Sequence, residues 1–204
     1  MIRLRPLLSD LRGASAVEFT LVMPLLLLLI FGTIDVGRYT WNLSQAEKAT
    51  QTGARWAVST DMIASGLNGY SFAISGGITQ GSPVTAAAFP GIACQSTSGT
   101  LACVCPSSCA YPTTASPAAF TRLVDRMKQI YPGLTEDNVV VTYSWSGLGF
   151  AGDPNGVDVA PLTTVSLRNL NYAPFTNYIF GSTVALPSFA YTLPMEDGSG
   201  TGSN

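Results

Sequence analysis

The chain has 204 residues, of which 47% are hydrophobic and only 11% charged, with a net charge of −2 and no histidine. Soluble domains carry roughly 25% charged residues, and a chain this poor in charge offers no electrostatic surface for nucleic acid. The lack of histidine removes imidazole triads, His metal ligands and the usual general base near neutral pH. The residue types therefore call for no cofactor, no metal and no small-molecule substrate, and enzymatic activity is not expected.

The charge is unevenly placed. Arg3, Arg5 and Arg12 stand against Asp10 before residue 13, whereas eight acids and four bases follow residue 60. A basic tip leads into ASAVEFTLVMPLLLLLIFGTI, residues 14–34, with Glu18 as its one charge and Pro24 as its one proline. As a helix, 21 residues reach about 31 Å at ~1.5 Å per residue, which matches a bilayer core of about 30 Å. A cleaved secretory signal has small residues after its apolar core; here Ala14, Ser15 and Ala16 precede it, so the segment is expected to stay attached. The arginine bias favours an N-terminus inside the cytoplasm. Glu18 is expensive at the edge of an apolar run. Either it snorkels to the headgroups, or it meets a positive partner such as a freed amino terminus on a neighbouring chain.

Residues 35–59 continue as helix, with no proline and no turn cluster before Ser59-Thr60. Ala46, Ala49, Gly53 and Ala57 recur at spacings of 3, 4 and 4, which lines small residues along one narrow face. Such a face allows close approach of another element, either the protein's own sheet or a second subunit.

Residues 60–115 are rich in Gly, Ser, Thr, Ala and Pro and read as irregular. Cys94, Cys103, Cys105 and Cys109 all fall here. An even set of cysteines in an exported segment reads as disulfides. Bridging Cys103 to Cys105 is geometrically poor, so Cys94 is expected to pair with Cys103 or Cys105. A zinc site lacks paired C-x2-C knuckles and any His. Within residues 116–195, Ser116-Pro117 opens a short helix with Phe120, Leu123, Val124, Met127 and Ile130 on one face, closed by Pro132-Gly133. Strands are expected near Asn138–Trp145, Thr163–Tyr172 and Val184–Leu193. Asp153-Pro154-Asn155-Gly156-Val157-Asp158 superficially suggests a calcium loop but reads better as a β-turn. Residues 196–204, rich in Gly and Ser, are expected to be a disordered tail. The fold class is α+β: a long N-terminal transmembrane helix, a short second helix and a three-stranded antiparallel sheet.

Four features carry a resemblance. Arg12-Gly13-Ala14-Ser15-Ala16-Val17-Glu18-Phe19 resembles a prepilin peptidase site, in which Gly is followed after four residues by Glu and an aromatic. Pro24 in a leucine-rich run is followed by Gly32-Thr33-Ile34-Asp35-Val36-Gly37-Arg38-Tyr39. Ala49-Thr50-Gln51-Thr52-Gly53-Ala54-Arg55-Trp56-Ala57 comes next. In this order they resemble the TadE-like family of Tad (Flp) pilus systems, over about residues 12–58.

The resemblance implies a leader of residues 1–13, cleaved between Gly13 and Ala14 on the cytoplasmic side. It also implies a pilin-like ectodomain in the periplasm and a role as minor pilin or pseudopilin in assembly, priming or tip formation for adhesion. Glu18 would become the fifth residue of the mature chain and, with Phe19 and Pro24, would belong to the assembly segment. The implied partners are the inner membrane, the prepilin peptidase, other pilin-like subunits and the Tad assembly platform. The alternative is an unprocessed, single-pass periplasmic binding or adhesion module.

Overall fold

A computed structural model describes residues 14–154 and 156–200, apart from the side chains of Ala14, Ile179 and Phe180. Helix α1 runs unbroken from Ala14 to Ser59 over 46 residues. It takes Pro24 within its span, where the ring removes one backbone donor. Beside it, the Thr20 hydroxyl donates to the Ala16 carbonyl at 2.7 Å. The chain divides into two compact units: residues up to Trp41 with Tyr172–Val184, and Asn42–Asn171 with Ala185 onward.

The second unit holds the core. Its sheet has five strands, all antiparallel: β1 (Ile92–Thr97), β2 (Thr100–Val104), β3 (Val139–Ser144), β4 (Leu162–Leu167) and β7 (Phe189–Pro194), in the order β2-β1-β3-β4-β7. Two short strands, β5 (Asn171–Tyr172) and β6 (Val184–Ala185), form a separate ribbon. The expected three-stranded sheet is thus corrected to five. The added pair, β1 and β2, lies inside residues 60–115, which had read as irregular. Ser98 and Gly99 both adopt positive φ, 52° and 78°, the two-residue reversal that matches strand twist. The Asp137 carboxylate braces it, accepting from the Ser96 hydroxyl at 2.6 Å and the backbone N–H groups of Ser98 and Gly99 at 3.0 and 3.3 Å. The Ser96 hydroxyl foremost, with those N–H groups, holds this carboxyl below its ordinary range.

Alternation decides the buried face. Val139, Val141 and Tyr143 of β3 and Thr163, Val165 and Leu167 of β4 are buried. After a one-turn helix α2 (Ser65–Asn68), helix α3 (Pro117–Lys128) is capped by the Ser116 hydroxyl, which accepts from Ala119 N–H at 3.3 Å, and buries Ala119, Phe120, Leu123, Val124 and Met127. Ile130, expected on that face, lies past the helix end and is half-buried. Tyr143 is wholly buried, and its hydroxyl accepts from Ile63 N–H at 2.9 Å. That burial pushes the hydroxyl above its ordinary pKa.

Two further expectations change. The Thr163–Tyr172 strand stops at Leu167, and Val184–Ala185 belongs to the ribbon rather than to β7. The tail is docked through Gly200: Glu196 and Asp197 N–H groups both donate to the Val58 carbonyl, and Met62 N–H donates to the Gly198 carbonyl. These bonds satisfy a carbonyl that the end of α1 leaves without a helical partner. Residues 201–204 lie outside the described residues.

Candidate membrane anchor and assembly site

The first stretch of α1 is the only candidate membrane span among the described residues. It is long and apolar enough to cross a bilayer, and its most apolar window is not buried at all. Val17, Phe19, Leu21, Val22, Leu25 and Leu29 all stand exposed. So long an exposed apolar surface is a liability in water and fits lipid or other helices. Glu18 lies on its first exposed turn, beside Phe19, with Pro24 further along the same helix. Ala14 begins the helix, whereas Gly13 lies outside the described residues.

Asp35, the first residue past the apolar run, has a local job that the sequence did not disclose. It is only 7% exposed. Its carboxylate accepts from Phe175 N–H at 2.6 Å, Thr176 N–H at 3.0 Å, the Thr176 hydroxyl at 3.0 Å and the Tyr172 hydroxyl at 3.4 Å. One turn on, the Arg38 guanidinium lies 4.3 Å from the Phe175 ring centroid and 5.8 Å from that of Tyr172. Tyr39 meets Tyr172 edge-on at 5.9 Å. The segment Asp35-Val36-Gly37-Arg38-Tyr39 therefore works as a clasp for residues 172–184.

Asp35→Ala removes the acceptor and leaves those backbone N–H groups without a partner. Chymotrypsin cleavage within residues 172–184, measured on the full chain in detergent, is expected to speed up about tenfold or more. Asp35→Asn keeps an acceptor oxygen and should fall between wild type and alanine. Equal cleavage rates in all three chains would show that the carboxylate holds nothing.

The small-residue face lies in the second unit. Ala46, Ala49, Gly53 and Ala57 are all buried. A Cβ placed on Gly53 would lie 2.7 Å from Met127 Sδ and 2.8 Å from its Cγ. Arg126 of α3 stands over the Trp56 ring at 5.8 Å. At Gly53 the covering side chain is the chain's own Met127, on α3.

All four cysteines are bridged, Cys94 to Cys103 and Cys105 to Cys109. The first bridge joins register partners across β1 and β2. Closing loops this short stabilises by about 2–3 kcal/mol in the chain-entropy account. In the segment that only superficially suggested a calcium loop, the Asp158 carboxylate is engaged by backbone donors, accepting from Phe72 N–H at 2.6 Å and Asp153 N–H at 3.1 Å.

An exposed apolar helix suited to spanning a bilayer, continuous with a disulfide-bridged α+β domain, is the pattern of a membrane-anchored protein with one candidate span among the described residues. The family comparison agrees: residues 13–55 match the model of the TadE-like protein family. No curated protein and no solved structure matches the chain.

Proposed function

We propose that this chain is a minor pilin or pseudopilin of a Tad-type pilus, cut by a prepilin peptidase between Gly13 and Ala14. Residues 14–34 hold it in the inner membrane with the N-terminus cytoplasmic and the ectodomain periplasmic. There it joins other pilin-like subunits and the assembly platform, in assembly, priming or tip formation for adhesion. It acts as a structural subunit rather than an enzyme.

The observation that carries this reading is the N-terminal arrangement. The TadE-like match begins at residue 13. One carboxylate, Glu18, stands on the first exposed turn of an apolar run whose most apolar window none of the described residues buries. The two disulfides support a periplasmic ectodomain, because such bridges persist outside the reducing cytoplasm.

The test is the N-terminus of the protein purified from its native membrane, with and without the prepilin peptidase, and with Gly13→Leu. The expected chain begins at Ala14 only when both the peptidase and Gly13 are intact. A chain that keeps Met1 in every background would overturn the proposal in favour of an unprocessed anchored module.

A further inference from the structure

Residues 172–184 are the most unusual surface of the first unit. The sequence YAPFTNYIFGSTV contains four aromatic residues and no charged residue. Such a segment is poorly suited to open water. Yet Tyr178 is 93% exposed and Phe175 48% exposed, and Val184 is exposed as well.

Its height relative to the apolar run is fixed by the Asp35 clasp. The 21 residues that precede Asp35 span about 31 Å as helix, so Asp35 falls where the hydrocarbon core of about 30 Å ends. Four hydrogen bonds hold residues 172–176 at that residue. A groove of about 380 Å³ runs beside the clasp, lined by Gly32, Val36, Tyr39, Tyr172, Pro174 and Val184 among others. Gly32 belongs to the apolar run and Tyr39 lies seven residues further on, about 10 Å along the helix. The groove therefore continues the lipid-facing surface past the end of the span.

We propose that residues 172–184 are a membrane-interface foot that seats the chain on the outer face of the bilayer, with Tyr178 and Phe175 among the phospholipid headgroups; this rests on the anchor reading given above. Three features favour lipid over a second protein copy. Tyrosines enrich at the level where acyl chains give way to headgroups, because the ring is apolar and the hydroxyl is wet. The segment carries no charge that would need a paired partner. The groove is continuous with the span rather than set apart from it. Burying the Asp35 carboxylate under this segment also keeps a bare charge away from lipid.

The test uses the full chain in vesicles of phosphatidylethanolamine and phosphatidylglycerol. Tyr178→Trp adds a reporter at a side chain too exposed to disturb folding, and its signal is the difference from the parent chain. The same chain in vesicles without spin-labelled lipid is the control. Lipids spin-labelled near the headgroup are expected to remove most of the emission at position 178, which should also be blue-shifted.

A chain that floats with the vesicles while position 178 stays unquenched and water-like overturns the foot and leaves the anchor standing. Protection of position 178 from an aqueous quencher without quenching by labelled lipid would assign the surface to a second copy and overturn the lipid assignment. A chain that does not float with vesicles at all overturns the anchor and the foot together.

Discussion

Glu18→Gln is expected to leave processing and membrane insertion intact and to lower incorporation into sheared pili by about 100-fold or more. The carboxylate stands on an exposed turn of an apolar helix. Placing it near lipid is unfavourable unless something recovers that energy. Cleavage after Gly13 would create an ammonium at Ala14, one helical turn away in sequence. A neighbouring copy offers the same ammonium at the same depth. In a packed bundle of apolar helices, an ammonium left without its carboxylate is an uncompensated buried charge, which is where removing one partner does the most damage.

The competing account, a side chain that only snorkels, makes a different forecast. Snorkelling needs reach and polarity but not a negative sign. It would let Glu18→Lys assemble as well as wild type, whereas pairing makes the lysine chain the worst of the series. Glu18→Asp keeps the charge on a shorter arm and should retain partial assembly. The readouts are the mature N-terminus, the membrane fraction and the pilus fraction of each chain. Normal assembly of the glutamine and lysine chains would sink the pairing account while leaving cleavage untouched.

Residues whose partners lie close in sequence were legible from the chain alone. The apolar run and its continuation gave α1, and Ser116-Pro117 with a 3.6-residue apolar repeat gave α3. Alternation gave β3, where Val139, Val141 and Tyr143 all point into the core. The β1–β2 hairpin is hard to read because Ile92, Leu101 and Val104 are its only large aliphatic residues among Ala, Cys, Gln, Ser and Thr. With so few bulky apolar side chains, the period of two carries little contrast. A disulfide between register partners and the Asp137 brace do the work that hydrophobic side chains do elsewhere. The available signal was the Ser98-Gly99 pair between two short polar runs.

The sequence alone assigns Asp35 no role, because its partners are 137 to 141 residues away in sequence. A carboxylate at the end of a membrane span was itself the clue: so expensive a position usually has a reason. The docked tail was hidden for a similar cause. Its composition is that of a free linker, yet two of its backbone N–H groups close the end of α1 at Val58.

Leucine at position 53 is expected to destabilise the ectodomain by about 2–3 kcal/mol, read as a lower urea midpoint of the full chain in detergent. Two effects oppose each other at this helical glycine. A better helix former gains about 1 kcal/mol over glycine. Added atoms must displace Met127, whose Sδ and Cγ lie 2.7 and 2.8 Å from where a Cβ would stand. Overpacking of that kind costs about 1–3 kcal/mol. Methionine is flexible and can yield to one methyl, so Gly53→Ala should lose less, about 0–2 kcal/mol. It cannot yield to a whole isobutyl group, because Met127 is itself fully buried.

The decisive comparison is therefore a cycle with Met127→Ala, a truncation that should lose about 2–5 kcal/mol on its own. In that background a methyl on residue 53 meets space instead of sulfur. Gly53→Ala should then change sign and stabilise, through helix propensity and partial filling of the cavity. Equal effects of Gly53→Ala in both backgrounds, within about 0.5 kcal/mol, would mean that the glycine is not there to admit Met127. If Gly53→Leu left unfolding unchanged but impaired assembly, this face of α1 would have to serve another subunit rather than α3.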